Sequence, residues 1–391
     1  PAATDSNGRT PMHLAANTGA VEVLEVLVAG GAPINARDVE GSTALHIAAR
    51  QGNRDVVLRL IQASAGLDVK DGEGKTAIEW AGILRRWDIL GELAIAGADV
   101  NVANGKLLLI AVLSKQWDTA DLLIRQGADV KVKGETGLTP LHIAAMEGDA
   151  DTVALLLERG APIDATDENQ RTPLHDAAAE GHVAIVEKLI AENATLSSGD
   201  AYGDTPLHAA ARKGHADVAR ILIRHGVDVD ALDKEGHSPL HWAAVRRSWD
   251  LVELLALSGA THGITDGALL VDAAASRRWG VVELLVSKGA DLEAVDGTGR
   301  TALHHAVRHG RRETALLLLT SGAGVNVTEE SGWTPLHEAA ARGETDLTSL
   351  LLAHHADRTV KSKAGDTPLD LAVSGQHVEL VKLLEDAGEP R

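Results

Sequence analysis

The stretch Thr139-Pro140-Leu141-His142-Ile143-Ala144-Ala145 decides how this chain folds, because copies of it recur along the sequence. Close copies begin at Thr172, Thr205, Ser238 and Thr334, and looser ones begin at Thr10, Thr43, Thr76, Thr301 and Thr367. Within a run of copies the starts are evenly spaced, at positions 139, 172, 205 and 238. The period is therefore the distance from position 139 to position 172. A fixed period of this length is typical of stacked repeats and not of a compact globule.

Each copy predicts the start of a helix, since threonine caps free backbone N–H groups and proline is tolerated in a first turn. In the unit that begins at Thr139, Gly148 ends this first helix and the apolar run 153–157 predicts a second one. A turn-rich finger loop, 164–170, then leads to the next threonine. One such unit cannot bury its own apolar face, so neighbouring units must stack.

These units resemble the ankyrin repeat family. The unit length, the Thr-Pro-Leu-His-x-Ala-Ala box, the second-helix pattern at 183–190 and the Gly-Ala-Asp-Val linker at 127–130 fit that family from about residue 5 to residue 388. The resemblance implies an all-α solenoid of helix-turn-helix units with β-hairpin-like finger loops, in a single array over 1–391. It also implies that the box histidines hold neighbouring turns together by hydrogen bonds.

A longer period lies over the short one. Six tryptophans form two sets with the same internal spacing, because Trp80, Trp87 and Trp117 recur at one constant offset as Trp242, Trp249 and Trp279. We call this separation, from position 80 to position 242, the block offset. Repeats four and nine start closer to their predecessors (76 to 106, 238 to 268) than regular repeats do (139 to 172), which predicts a shortened finger before each. We therefore divide the array into 1–70 (repeats 1–2), 71–232 (repeats 3–7) and 233–391 (repeats 8–12), the last two being copies of one block.

Composition excludes several classes of function. The formal net charge of −19 argues against nucleic-acid binding, which depends on Lys and Arg that neutralise phosphates. There is no cysteine, so disulfides and thiolate metal sites are excluded. No run approaches the ~18 apolar residues of a membrane span, so we predict no membrane insertion. The sequence begins at Pro1 and not Met, so we expect that something upstream was removed or omitted. A cytoplasmic location is slightly favoured over a secreted or periplasmic one.

The predicted function is a non-catalytic scaffold that binds another protein or a peptide in the concave groove between finger loops and first helices. The resemblance implies this use of the groove, and Tyr, Trp and Arg are the residue types most enriched in binding hot spots. The predicted contact residues are Tyr202, Arg212, Lys213, Trp242, His305 and Trp333.

The alternative is a small anionic, aromatic or carbohydrate ligand bound at the duplicated Arg/Trp turns of repeats 3–4 and 8–9. The residues concerned are Arg85, Trp87, Trp117, Arg246, Arg247, Trp249, Arg277, Arg278 and Trp279. Stacking and bidentate hydrogen bonds would hold such a ligand. The plainer interpretation is that each tryptophan fills space left by a shortened finger. In the second block, Arg311 and Arg312 continue the same row of turns, which predicts a basic ridge.

We do not predict an enzyme. Asp272, His305 and Glu338 form an acid–His–acid row after the boxes of successive repeats, but they lie about one repeat, ~10 Å, apart and no nucleophile accompanies them. No cofactor is expected. No metal site is expected either, because box histidines ~8–10 Å apart cannot share an ion whose ligands each need to approach within about 2 Å.

Overall fold

The computed structural model describes residues 3–265 and 267–386, apart from the side chain of residue 386, and divides the chain into two compact units. Unit 1 covers Pro1–Ala201 and unit 2 covers Tyr202–Arg391. Each unit is a stack of helix pairs, and the described residues contain no β-strand. The predicted all-α repeat architecture is confirmed.

Each repeat supplies a first and a second helix. In unit 1 the helices are α1 (Pro11–Thr18), α2 (Val21–Ala29), α3 (Ala44–Gln51), α4 (Arg54–Gln62), α5 (Ala77–Ile83), α6 (Trp87–Ile95), α7 (Lys106–Leu113), α8 (Trp117–Arg125), α9 (Pro140–Glu147), α10 (Ala150–Glu158), α11 (Pro173–Glu180) and α12 (Val183–Ala191). In unit 2 they are α13 (Pro206–Lys213), α14 (Ala216–Arg224), α15 (Pro239–Val245), α16 (Trp249–Leu257), α17 (Ala268–Ala275), α18 (Trp279–Ser287), α19 (Ala302–Arg308), α20 (Arg312–Thr320), α21 (Pro335–Arg342), α22 (Thr345–Ala353), α23 (Pro368–Ser374) and α24 (Val378–Asp386).

The box threonine and histidine together start the first helix, as the repeat at Thr139 illustrates. The N–H of Thr139 donates to Nδ1 of His142 at 3.2 Å, and the Thr139 hydroxyl accepts from the N–H of His142 at 3.4 Å. Such a cap is worth ~0.5–2 kcal/mol. Because Nδ1 accepts, the ring carries its proton on Nε2, which donates to the carbonyl of Arg171 in the next repeat at 3.0 Å.

The same histidine link joins successive repeats elsewhere within each unit. Nε2 of the box histidine meets a carbonyl oxygen of the next repeat in the pairs His13 and Ser42, His46 and Lys75, His208 and His237, His304 and Trp333, and His337 and Asp366. This is the role that the family resemblance implied for these residues.

Packing in each unit runs between neighbouring repeats. In unit 1, α9 packs against α7 and α11, while α10 packs against α8 and α12. In unit 2, α19 packs against α17 and α21, while α20 packs against α18 and α22. The core is thin and made of small and branched side chains: Leu141, Ala144 and Leu156 have 0% exposure. Each repeat therefore depends on the next for its buried surface, as predicted.

Repeats three, four, eight and nine replace the glycine that separates the two helices. The regular repeat at Thr139 has Gly148 in the left-handed region (φ 84°). Arg85 (φ 56°) and Lys115 (φ 54°) occupy that conformation in unit 1, and Arg247 (φ 53°) and Arg277 (φ 60°) occupy it in unit 2. The second helices of these repeats begin at their tryptophans, as predicted.

The shortened finger of repeat four is a single 3-10 turn, Ala103–Gly105, placed directly before α7. Ala103, Asn104 and Gly105 all have positive φ (53°, 58° and 76°), which lets the chain reverse without a hairpin. In the part of the chain that the structure describes, no helix is both long and apolar enough to cross a membrane.

Candidate functional site

Each finger loop is held by the acidic residue that opens it. In the finger of repeat eight, the N–H of Asp233 donates to the carbonyl of His237 at 2.9 Å. Oδ1 of Asp233 accepts from the N–H groups of Glu235 (2.9 Å) and His237 (2.8 Å). Because both of these N–H groups bond to Oδ1, Oδ2 can accept a hydrogen bond from a residue outside the finger. We call the surface formed by the fingers and first helices of a unit its finger face.

Oδ2 of Asp233 fixes a tryptophan on the finger face of unit 2. The indole Nε1–H of Trp242, on α15, donates to this oxygen at 3.0 Å. The guanidinium of Arg212, on α13, lies 3.4 Å from the centroid of the same indole. Arg212 also pairs with Asp204 (2.7 Å) and approaches Asp233 (3.7 Å). We call Arg212, Trp242 and Asp233 the anchor triad of unit 2.

Two histidines enclose the other side of the triad. The rings of His237 and His241 are stacked at 4.0 Å between centroids. Both meet Trp242 edge-on, at 5.3 and 5.2 Å. The indole therefore has a cation against one face and imidazole rings at its border, so its rotamer is restricted before any partner arrives.

The electrostatics of the triad favour a permanent carboxylate. Burial by itself raises the pKa of Asp233, but hydrogen bonds from the His237 N–H, the Trp242 indole and the Glu235 N–H outweigh burial, so the pKa lies below its usual value. The charge on Asp233 is therefore retained at neutral pH. It holds the indole N–H and attracts Arg212 at the same time.

Unit 1 contains an equivalent anchor triad at the block offset, made of Arg50, Trp80 and Asp71. Nε1–H of Trp80 donates to Oδ2 of Asp71 at 2.7 Å, and the Arg50 guanidinium lies 4.5 Å from the Trp80 centroid. Lys75 lies 5.0 Å from the same ring. The stack on Trp80 is looser than that on Trp242, where the distance is 3.4 Å.

The predicted contact residues included neither Asp71 nor Asp233. The signal that identifies the acids is the constant spacing between the finger acid and the residue after the box histidine (71 and 80, 233 and 242). The same spacing places Oδ2 of Asp296 at 2.8 Å from Nε2 of His305.

The other predicted contact residues lie on the finger face of unit 2 with different degrees of exposure. Tyr202 is 65% exposed on its finger, and Lys213 is exposed at the end of α13. Trp333 is half-buried on its finger, with its ring 6.3 Å from that of His337. His305 is only 7% exposed, and its ring is bonded to Asp296.

The Arg/Trp turns lie between first and second helices. Trp249 is 6% exposed, whereas Trp87, Trp117 and Trp279 are half-buried. The arginines of these turns point to solvent: Arg85, Arg246, Arg247, Arg277 and Arg278 are all exposed. Arg247 pairs with Asp272 at 3.1 Å. The turns thus combine tryptophan rings that are partly or wholly packed with open guanidinium groups.

An apolar groove on the finger face of unit 1 was not foreseen. It has a volume of about 330 Å³ and lies between α7, α9 and the finger that precedes α9. Its apolar lining is Leu109, Ile110, Leu113, Leu138 and Ile143, with Lys106 and Glu135 at its border. Leu113 is 63% exposed. The short turn before α7 leaves this surface uncovered.

The acid–His–acid row gives no catalytic arrangement among the described residues. His305 is bonded to the finger acid Asp296, while Asp272 pairs with Arg247 and Glu338 lies 3.9 Å from Arg308. The described residues also contain no group of three or more His, Cys, Asp or Glu side chains that could hold a metal ion.

A family model described as "Ankyrin repeats (3 copies)" matches this chain in overlapping segments. The matches cover residues 1–71, 30–104, 108–200, 193–266, 263–329 and 316–390. A comparison with curated proteins found no match.

Proposed function

Because the chain belongs to the ankyrin repeat family, whose members generally serve as scaffolds for protein–protein interaction, we propose that it binds an extended segment of another protein on the finger face of unit 2. The proposed scaffold is non-catalytic. The observation that supports this site is the stack of Arg212 on Trp242 at 3.4 Å, held by Asp233.

The anchor triad has the properties of a binding hot spot. Tryptophan and arginine dominate hot spots, and they contribute most where their conformation is set before binding. Trp242 is half-buried, and its indole is fixed by Asp233 and by Arg212. A partner that covers this ring therefore loses less side-chain entropy than one that must order a free tryptophan.

The flanking residues define how long the bound segment should be. Tyr202 stands on the finger of repeat seven and Trp333 on that of repeat eleven, which is four repeat steps further along unit 2. Steps of ~10 Å and an extended rise of ~3.3 Å per residue give a segment of about twelve residues. Lys213 borders this path near the triad, and we assign His305 a supporting role, since it holds Asp296 and is itself buried.

The small-ligand alternative has weaker support. Trp249 is 6% exposed, so neither face of its ring is open for a sugar or an aromatic ligand to stack. Arg247 lines a pocket with Asp272, its ion-pair partner, and no other arginine of the turns lines that pocket. A tryptophan fluorescence titration with small anions and oligosaccharides should accordingly give no saturable change, and a saturable change that is lost in Trp279→Phe would restore this alternative.

Peptide selection tests the scaffold proposal. Twelve-residue peptides are selected from a displayed random library on the whole chain, and their affinities are measured by fluorescence anisotropy. Hot-spot truncation costs about 2 kcal/mol or more, so Trp242→Ala and Arg212→Ala should each weaken binding about thirtyfold or more. Trp242→Phe keeps a ring under Arg212 but lacks the indole N–H, so its affinity should be intermediate.

The matched controls are Trp80→Ala and Arg50→Ala, which remove the same side chains from the equivalent triad of unit 1. These variants should bind the selected peptides within about twofold of wild type, and circular dichroism should show unchanged helicity for all variants. Equal losses in both triads, or no loss in either, would contradict the proposal.

A further inference from the structure

A basic ridge crosses three successive repeats of unit 2, where each first helix passes into the second. It consists of Arg246 and Arg247 between α15 and α16, Arg277 and Arg278 between α17 and α18, and Arg311 and Arg312 at the start of α20. All six side chains are exposed. The turn segments 246–249, 276–279 and 309–312 contain no acidic residue.

Most of this charge is not neutralised within the protein. Arg247 pairs with Asp272 at 3.1 Å. The other five arginines of the ridge form no ion pair among the residues that the structure describes. Arg311 lies 5.5 Å from the ring centroid of Trp279, so the ridge includes one cation–π contact. The guanidinium groups therefore keep their donors available for a partner.

His309 lies within the positive field of one ridge residue, Arg277. Its ring lies 6.0 Å from that of Trp279. Burial lowers the pKa of His309, and the positive charge of Arg277 lowers it further, followed by His305, Arg308 and Arg342. Like charges held together in this way destabilise the fold by mutual repulsion. An anionic partner would relieve that repulsion.

Unit 1 shows what the same backbone looks like without a ridge. The positions that correspond by the block offset are Leu84, Arg85, Lys115, Gln116, Asp149 and Ala150. Arg85 and Lys115 are positive and Asp149 is negative, so the six positions of unit 1 carry a net charge of +1. The six arginines of the ridge in unit 2 carry +6. Lys115 is also neutralised by an ion pair with Glu147. The helix-turn geometry therefore does not require arginine at these positions.

We propose that the ridge docks an extended, carboxylate-rich segment of a partner protein. The pairs of arginines recur once per repeat, at a spacing of ~10 Å, which is the rise of about three extended residues. Guanidinium groups bind carboxylates through two parallel hydrogen bonds. The segment that fits best therefore carries an acidic residue at every third position over three repeats.

The spacing disfavours other anions. One phosphate group reaches only one of the three arginine pairs. A nucleic acid would extend past the ridge onto a protein of net charge −19. None of the three residues of the anchor triad belongs to the ridge, so the inference goes beyond the proposed scaffold function and is tested with different variants.

The test uses four fluorescent probes and the whole chain. The first is a twelve-residue peptide with glutamate at every third position. The second has the same composition with its glutamates at one end. The third is a singly phosphorylated serine peptide, and the fourth is a single-stranded oligonucleotide of equal charge. The first probe should bind most tightly, and its affinity should fall as salt is added. The triple variant Arg277→Gln, Arg278→Gln, Arg311→Gln should weaken binding about tenfold or more.

The control variant Arg85→Gln, Arg86→Gln, Lys115→Gln removes the same charge from unit 1 and should bind within about twofold of wild type. Histidine NMR adds a local readout, since the bound carboxylates should raise the pKa of His309. The proposal is overturned if the two triple variants lose equal affinity, if the clustered peptide binds as well as the spaced one, or if the phosphopeptide or the oligonucleotide binds more tightly.

Discussion

The surfaces beside the two shortened fingers belong to equivalent repeats but differ in chemistry. In unit 1 the groove is apolar, with Leu109, Ile110, Leu113, Leu138 and Ile143 along it. The positions that correspond in unit 2 by the block offset are Val271, Asp272, Ala275, Arg300 and His305. An ion pair between Arg247 and Asp272 and a hydrogen bond between His305 and Asp296 thus replace an open apolar patch.

The comparison separates the residues that build the repeat from those that define its surface. Lys115 and Arg277 have nearly the same left-handed φ (54° and 60°), and a tryptophan begins the second helix shortly after each. Caps and buried helices fix these features. The exposed side chains beside them are not needed for packing, so they can specialise each unit for a different partner. Three pairs of equivalent substitutions test this separation.

The largest expected difference lies between Trp249 and Trp87, which start equivalent second helices. Trp249 is 6% exposed and Trp87 is half-buried. Truncating a buried tryptophan costs ~3–5 kcal/mol, so Trp249→Ala should lower the free energy of unfolding of unit 2 by that amount. Trp87→Ala should cost unit 1 about half as much. Urea denaturation followed by circular dichroism measures both. Equal costs would show that the two tryptophans are packed alike.

The even spacing of the boxes predicted the fold, because a repeated box fixes both the caps and the stacking direction. The anchor triad was predicted only in part. Arg212 and Trp242 were selected as separate hot-spot types, but their contact joins α13 to α15 and depends on how neighbouring repeats align. The finger acid Asp233 was not selected, although its Oδ1 holds the turn and its Oδ2 holds the indole of Trp242.

The apolar groove could not be predicted. The sequence shows that the finger of repeat four is short, but it does not show which apolar side chains a full-length finger would have covered. The division after Ala201 has no signal in composition either. The block boundaries at 71 and 233 remain a prediction about duplication. The equivalent pair Arg50 and Arg212 indicates that the correspondence also extends upstream of residue 71.

A smaller effect is expected when the equivalent box histidines are compared across pH. Burial lowers the pKa of His304 to about 4, and burial also lowers the pKa of His142. Since the unfolded value is about 6.5, the unfolded chain takes up protons first, and stability falls as the pH drops from 6.5 towards 4. For His304 the loss amounts to about 3 kcal/mol.

The substitution His304→Gln should therefore lower stability at pH 7 by about 1 kcal/mol through lost hydrogen bonds, but flatten the decline between pH 6.5 and 4. His142→Gln is the matched variant in unit 1 and should act in the same direction. Denaturation midpoints measured at several pH values test this, and histidine NMR should show the His304 ring neutral until about pH 4. A ring that titrates near 6.5 would be incompatible with the buried, Nε2-protonated histidine.

The smallest expected effect concerns the left-handed positions Lys115 and Arg277, where regular repeats have glycine. A side chain in this conformation costs ~1 kcal/mol relative to glycine, although glycine also loses more freedom on folding. Lys115→Gly and Arg277→Gly should therefore each change the free energy of unfolding by less than about 1 kcal/mol.

Lys115→Gly also breaks the ion pair with Glu147, whereas Arg277→Gly removes a charge that no acid neutralises among the described residues. Arg277→Gly should thus be the more stabilising of the two, by a few tenths of a kcal/mol. The difference should shrink in high salt, because screening weakens both the Lys115–Glu147 ion pair and the repulsion between the charges of the ridge. A difference that persists in 1 M salt (Debye length about 3 Å) would place its origin in the backbone and not in the charge of the basic ridge.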